Sequence, residues 1–385
     1  CTIENVPDIE DVSSLVEILR YLGAQVNVLP ENKLYIDATN ISKTNVPLDL
    51  TLKLRASYYF LGALIGKYKE AEVASPGGCE LGGRPMDQHF KGFTSLGVEF
   101  DKKGHTIKAK CKNLIGNSVF FDVVSVGATI NVLLAAVKAK GVTVLYKAAK
   151  EPHIVDLANF LNSMGAKIRG AGTDVIRITG VEKLHGSTYM VIQDQIETGT
   201  MMIAAAATHG DVLIHDCIPT HMESLTAKLL ELGVRVASSD DRIRVSPISK
   251  HRNINVTTQV YPGFPTDLQQ PMTSLLTMVS GINTITETIF EQRFNHVNEL
   301  LRMGADIQIK DKTMTIIGVN QLYGAPVNAS DLRAGAALII AGLMAKGVTE
   351  ISGTHFIDRG YDHIEKKLKA LGANIKRVQL HNKEM

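Results

Sequence analysis

Six times along the chain a segment of the form Leu/Met-Gly-Ala/Val closes a helix-like stretch: YLGAQV, SLGVEF, SMGAKI, ELGVRV, RMGADI and ALGANI. The glycines Gly23, Gly97, Gly165, Gly233, Gly304 and Gly372 are separated by 74, 68, 68, 71 and 68 residues. One supersecondary unit used six times constrains the fold more than composition does.

Each copy reads in the same way. In DVSSLVEILRYLG, Val12, Leu15, Val16, Leu19 and Leu22 fall on one helical face. Asp11 is expected as its N-cap and Gly23 as its left-handed C-cap. A hairpin follows: AKIRGAGTDVIRI alternates about a Gly-rich turn, and ADIQIKDKTMTII about Asp311 and Lys312. Next comes a helix apolar nearly all round, as in SVGATINVLLAAVKAKG, ETGTMMIAAAATHG and LRAGAALIIAGLMAKG, which must be buried on most sides. A strand such as VTVLYKAA or VTEISGT closes the unit, giving helix, strand, strand, buried helix, strand.

A solenoid of such units is conceivable, but a mostly buried helix per unit suits closed globules. The expectation is an α/β fold of α+β repeats in two similar domains of three units, 1–192 and 193–385, dividing near YMVIQDQ. A cleft between similar domains is a favoured ligand site. The chain opens on a closing strand, CTIENVP, and shows five buried helices for six amphipathic ones, so about half a unit is expected ahead of Cys1.

With 385 residues and 45% hydrophobic content the chain can bury large cores. A net charge of +2, without a basic stripe, argues against nucleic-acid binding. The longest apolar runs, such as AALIIAGLMA, are about half a membrane span. Four scattered cysteines without C-x-x-C spacing argue against a disulfide framework or structural zinc site and fit a reducing cytoplasm. No P-loop or G-x-G-x-x-G is present, which disfavours ATP and dinucleotides.

The informative positions are those the repeat does not demand. SPGGCELGGRP, residues 75–85, flanks Cys79 with Gly-Gly pairs and ends near Arg84, which could lower the thiol pKa or hold an anion. An incidental turn with an inert cysteine is equally compatible. Arg55 and Arg333 open buried helices; Arg293 and Arg359 follow closing strands. Singly, each reads as a solvated or paired arginine; their shared placement favours an anion-binding cleft. Ser125 can cap the helix of SVGAT, with Gly127 leaving backbone N–H groups accessible. Asp267, in FPTDLQQP, is an N-cap or a general base. His89 reads as a structural residue, with no second member of a metal set.

These stretches together, PGGCELGGRPMDQH, LRASYYFLG, SVGAT, IETGT, FPTDLQQ, ITETIFEQRFNHVNELLRMGA, DLRAGAALIIAG and IDRGYDHIEKKLKALGA, resemble the UDP-N-acetylglucosamine 1-carboxyvinyltransferase family of enolpyruvyl transferases along the whole chain. The resemblance implies an inside-out α/β barrel in each domain and no cofactor or metal. It implies transfer of the enolpyruvyl group of phosphoenolpyruvate to the 3-hydroxyl of UDP-N-acetylglucosamine with release of phosphate, the first committed step of peptidoglycan synthesis in the bacterial cytoplasm. Cys79 is then the proton donor and the target of fosfomycin, and Asp267 takes the hydroxyl proton. Arg84, Arg293, Arg333 and Arg359 match anion-binding positions. Arg55, Arg84, Pro85, Met86, Asp87, Gln88, Val123, Val124, Ser125, Val126, Asp267 and Ile289 match the nucleotide-sugar contacts. Some relatives carry lysine at Val123, so pyrophosphate there would rest on backbone N–H groups. A Lys-Asn pair on the first buried helix of the family would lie in the segment expected ahead of Cys1. A monomer is expected. The alternatives are a 3-phosphoshikimate 1-carboxyvinyltransferase, whose family lacks the cysteine loop, and a non-catalytic nucleotide-sugar-binding repeat protein, which would need neither Cys79 nor Asp267.

Overall fold

The structure, a computed structural model, describes residues 1–74, 86–104, 106–247 and 251–378, without the side chains of Arg55 and Lys103. All six repeat glycines adopt left-handed backbone, with φ between +90° and +109°. At Gly23 the N–H donates to Arg20 O, and the next N–H, of Ala24, donates to Leu19 O over 2.9 Å. This is the reversal that ends a helix and turns the chain into a strand, and a side chain at such φ would be strained. Asp11 does not cap its helix. Glu10–Leu22 starts after Ile9, which makes no side-chain cap bond, and Asp11 sits in the first turn, where a negative charge still suits the helix dipole.

The hairpins form as the alternation requires. Lys167–Arg169 pairs antiparallel with Val175–Thr179, and Asp306–Lys310 with Thr313–Ile317. Four of the repeats also contain a short strand that the pattern did not reveal. Ser118–Phe120 precedes the buried helix Val126–Ala136 and pairs in parallel with the closing strand Val142–Tyr146. Asn255–Thr257 relates in the same way to Ile282–Thr286, and Pro326–Asn328 to Glu350–Ser352. In these repeats the buried helix is therefore the crossover of a parallel strand pair.

The chain divides into two compact units, Cys1–Ile192 with Val260–Pro262, and Gln193–Gln259 with Gly263–Met385. The first closes on itself: Thr188–Met190 pairs in parallel with Thr2–Glu4 near the chain start, and the chain then enters helix Gln195–Ala207 of the second.

In the first unit the buried helices are Tyr59–Tyr68 and Val126–Ala136. Tyr59–Tyr68 begins later than the apolar pattern implies, because Leu54 is extended and Arg55–Tyr58 forms a 3-10 turn. The two helices approach so closely that a Cβ on Gly62 would lie 2.2 Å from Asn131 O. Asn131 turns that approach into a bond, its Oδ1 accepting from Gly62 N–H over 2.7 Å. Around them Ile65, Leu133 and Leu145 are fully buried. Each is worth about 2 kcal/mol relative to exposure. In the second unit helices Gln195–Ala207, Gln269–Leu276 and Leu332–Met344 form the centre, with Met272, Leu276 and Leu338 fully buried.

Candidate active site

The buried helices start where charged side chains can gather, and in the second unit all three repeats contribute. Asp331 caps Leu332–Met344, accepting from the N–H groups of Arg333 and Ala334 over 2.9 Å each. That fixes the helix start from which Arg333 projects. Asp267 lies in the 3-10 turn Thr266–Leu268, just ahead of Gln269–Leu276. Its side chain makes no cap bond there; it meets two guanidinium groups instead.

Arg293 Nη2 donates to Asp267 Oδ1 over 2.6 Å, and Arg333 Nη2 donates to Oδ2 over 3.0 Å. Side-chain exposure is 4% for Arg293, 13% for Arg333 and 35% for Asp267, so the carboxylate is the open member of the trio. Burial alone would raise the Asp267 pKa; the charges of Arg293 and Arg333 outweigh it and hold the carboxyl well below its usual range. Arg333 stays charged for the converse reason: burial lowers its pKa, but Asp267, Tyr361 and Asp194 together more than restore it.

Each arginine spends another N–H on a hydroxyl. Arg293 Nη1 donates to Thr266 Oγ1 over 2.7 Å, and Thr266 donates to Glu287 Oε2 over 2.8 Å. Arg333 Nη1 donates to the Tyr361 hydroxyl at 3.3 Å, which lies 2.8 Å from Thr200 Oγ1. Thr200 itself donates to Ile196 O, so the Tyr361 proton points to Thr200. Burial pushes the Tyr361 phenol up, against the pull of Arg333, so it stays protonated at neutral pH. Asp267 is thus gripped by two guanidiniums whose orientations are set from behind.

His296, the first residue of helix His296–Arg302, is fully buried near Arg293. Burial first, and Arg293 second, push its pKa down to about 3, so it is neutral at physiological pH. Arg359 follows the helix Thr354–Asp358 in the same unit and is half-buried. Ile289 is 38% exposed, and its N–H donates to Glu287 Oε1 over 2.8 Å.

The first unit holds the other candidate residues. Ser125 caps Val126–Ala136, accepting from Ala128 N–H over 3.2 Å. Gly127 is needed for packing: a Cβ there would lie 2.7 Å from the Tyr58 hydroxyl and 3.0 Å from His89 Nε2. His89 is 6% exposed, with Nδ1 3.2 Å from Asn131 Nδ2 and its ring edge-on to Tyr58, a structural setting. Gln88, 4% exposed, accepts from Asp122 N–H over 2.8 Å and donates to Asp122 Oδ2 over 3.0 Å and Asp87 Oδ2 over 2.8 Å. It therefore joins the start of helix Asp87–Ser95 to the segment 123–126. Met86 precedes that helix, Val123 is 57% exposed, and Val124 and Val126 are half-buried. Cys79, Arg84, Pro85 and the side chain of Arg55 lie outside the described residues. The thiols of Cys111 and Cys217 are both pushed up in pKa by burial, which keeps them protonated.

Sequence reading missed Thr266, Glu287, Tyr361 and Thr200. Glu287 had a signal: Asn283, Ile285 and Glu287 share the inward phase of the strand Ile282–Thr286 and its extension, and an acid at a buried phase requires partners.

Comparison with known proteins places the chain in a family. A family model described as EPSP synthase (3-phosphoshikimate 1-carboxyvinyltransferase) matches residues 1–368. UDP-N-acetylglucosamine 1-carboxyvinyltransferase of Clostridium botulinum is 55% identical over 378 residues, covering 98% of this chain and 91% of that protein. UDP-N-acetylglucosamine 1-carboxyvinyltransferase 2 of Bacillus subtilis is 50% identical over 385 residues, covering 100% of this chain and 90% of that protein. Among solved structures, the enolpyruvyl transferase NikO of Streptomyces tendae superposes with a TM-score of 0.88 at 25% identity, over 97% of this chain and 89% of that one. An EPSP synthase of Acinetobacter baumannii has a TM-score of 0.72 at 17% identity, over 98% and 91%, a likeness of fold alone.

Proposed function

We infer from its membership of the UDP-N-acetylglucosamine 1-carboxyvinyltransferase family of enolpyruvyl transferases, to which this chain belongs, that it transfers the enolpyruvyl group of phosphoenolpyruvate to the 3-hydroxyl of UDP-N-acetylglucosamine. The geometric observation that carries the reading is the Asp267 carboxylate, one-third exposed between the buried Arg293 and the largely covered Arg333. The setting is bacterial peptidoglycan synthesis in the cytoplasm, by a monomeric enzyme.

The reaction divides into addition and elimination. In addition, the sugar oxygen bonds to C2 of phosphoenolpyruvate, its proton passes to Asp267, and the methylene C3 takes a proton from Cys79. In elimination, the C2–O bond to phosphate breaks and phosphate leaves with the proton held by Asp267, C3 returns a proton to the Cys79 thiolate, and the double bond returns. A carboxylate held far below its usual pKa is a weak base. Asp267 becomes a stronger one when anionic substrate draws charge from Arg293 and Arg333, so substrate binding itself arms the base. Arg84 and Arg359 hold phosphoenolpyruvate, with Arg293 and Arg333 supplying further positive charge. Arg55, residues 84–88, residues 123–126 and Ile289 hold the nucleotide sugar, the backbone N–H groups at the Ser125-capped helix start taking the pyrophosphate in place of a lysine at Val123. Fosfomycin alkylates Cys79.

A 3-phosphoshikimate acceptor is the second enzymatic reading, and the relatives at 50–55% identity count against it. Phosphate release with UDP-N-acetylglucosamine but not with shikimate 3-phosphate separates the two.

A further inference from the structure

The carboxylate of Glu287 is 1% exposed and accepts four hydrogen bonds. Oε1 accepts from Thr258 Oγ1 at 2.9 Å, Ile289 N–H at 2.8 Å and Phe290 N–H at 3.1 Å; Oε2 accepts from Thr266 Oγ1 at 2.8 Å. Such a group is costly to bury and is retained where its bonds organise something. Two of its partners belong to different parts of the candidate site. Ile289 lies in the segment after the closing strand, and Thr266 adjoins Asp267 in the turn ahead of the buried helix.

We propose that Glu287 is a positioning residue that holds the Asp267–Arg293 pair and the Ile289 backbone in one fixed relationship, coupling recognition of the nucleotide sugar to the base that takes its proton. Hydrogen-bond direction carries the argument. Both oxygens of Glu287 accept, so the single proton of Thr266 points at Glu287. A lone pair of Thr266 is then turned to Arg293 Nη1, while Arg293 Nη2 reaches Asp267 Oδ1. Replacing the carboxylate by an amide puts a donor in the same space. If that donor faces Thr266, the threonine proton loses its acceptor; if the amide turns over, the Ile289 and Phe290 N–H groups lose theirs.

The proposal rests on the enolpyruvyl-transfer reading, but its test also has a readout independent of turnover. Glu287→Gln conserves volume, and Thr266→Val removes the intermediate hydroxyl. Each is expected to lower kcat/KM for UDP-N-acetylglucosamine at least about tenfold, with the double variant no worse than the more damaged single, because both break one chain. The acid limb of the kcat/KM profile is expected to move to higher pH in Glu287→Gln. The charged groups around Asp267 are Arg293 and Arg333, with Asp194 and Tyr361 acting on Arg333 and neutral His296 beside Arg293. A pure folding defect would lower active enzyme without moving that limb. Wild-type kcat/KM and pH profile in Glu287→Gln, or losses that multiply in the double variant, would overturn the proposal. If the wild type releases no phosphate from the two substrates, the enzymatic reading fails, and Glu287 is judged from the 13C resonance of the Asp267 carboxyl, assigned with Asp267→Asn. A changed shift and pH response in Glu287→Gln supports the positioning role; identical spectra overturn it.

Discussion

Arg293 and Asp267 share a 2.6 Å hydrogen bond in which the guanidinium is almost wholly buried and the carboxylate one-third exposed. The cation is fixed by the protein and the anion faces outward, an arrangement that exposes the reactive member of the pair. With Arg333 on the other oxygen, neither carboxylate oxygen is free to rotate away.

Asp267→Asn keeps the shape and removes the charge that two arginines share. Turnover is expected to fall by a factor of about 100 or more, the usual range for losing a general base. Binding of phosphoenolpyruvate, measured by calorimetry, should be retained or tightened, because Arg293 and Arg333 then lack their internal counter-ion. Loss of anion binding in parallel with turnover would show that Asp267 serves structure instead. Stability is expected to drop by about 1–3 kcal/mol, below the cost of breaking a fully buried pair because the carboxylate reaches solvent.

Cys111 and Cys217 are expected to stay out of the thiol chemistry. Burial pushes the Cys111 and Cys217 thiols up, so neither supplies thiolate at neutral pH. Fosfomycin should add one equivalent, located by peptide mass spectrometry at Cys79, and block turnover. Cys79→Ala should abolish both labelling and turnover, whereas Cys79→Asp, which retains an acid, should keep part of the activity. Full activity in Cys79→Ala would remove the proton-donor role.

His296 ties stability to pH. Its folded pKa is depressed to about 3. An unfolded histidine titrates near 6.5, so the unfolded chain binds the extra proton between these values. The stabilisation is complete above about pH 6.5 and is lost as the pH falls toward 3, at up to about 1.4 kcal/mol per unit. Denaturant unfolding at pH 7 and pH 5 should therefore show about 2 kcal/mol more loss in the wild type than in His296→Met, which removes the titrating ring. Parallel losses in the two proteins would mean that folding does not depress the His296 pKa.

The repeat was readable because it rests on backbone demands that a sequence displays openly. A helix that must reverse through φ near +100° takes glycine, and six glycines at similar spacing mark six reversals. The buried helices were readable from the loss of any polar face. Strands of two or three residues, such as Asn45–Val46 and Ser118–Phe120, were not, because so short a segment carries no period. Asp11 misled because an acid near a helix start serves the dipole as well as the cap. Arg293, Arg333 and Asp267 each stood out as charges the repeat did not need, but their mutual bonding crosses two repeats and has no signature along the chain. Thr266 and Tyr361 were hidden for the same reason: a hydroxyl becomes part of a site only through the partner behind it.

The central claim is tested most directly by release of inorganic phosphate from phosphoenolpyruvate in the presence and absence of UDP-N-acetylglucosamine. Stoichiometric phosphate and a sugar nucleotide heavier by one enolpyruvyl group are expected only when both substrates are present. Phosphate release without the sugar nucleotide, or with shikimate 3-phosphate in its place, would contradict it.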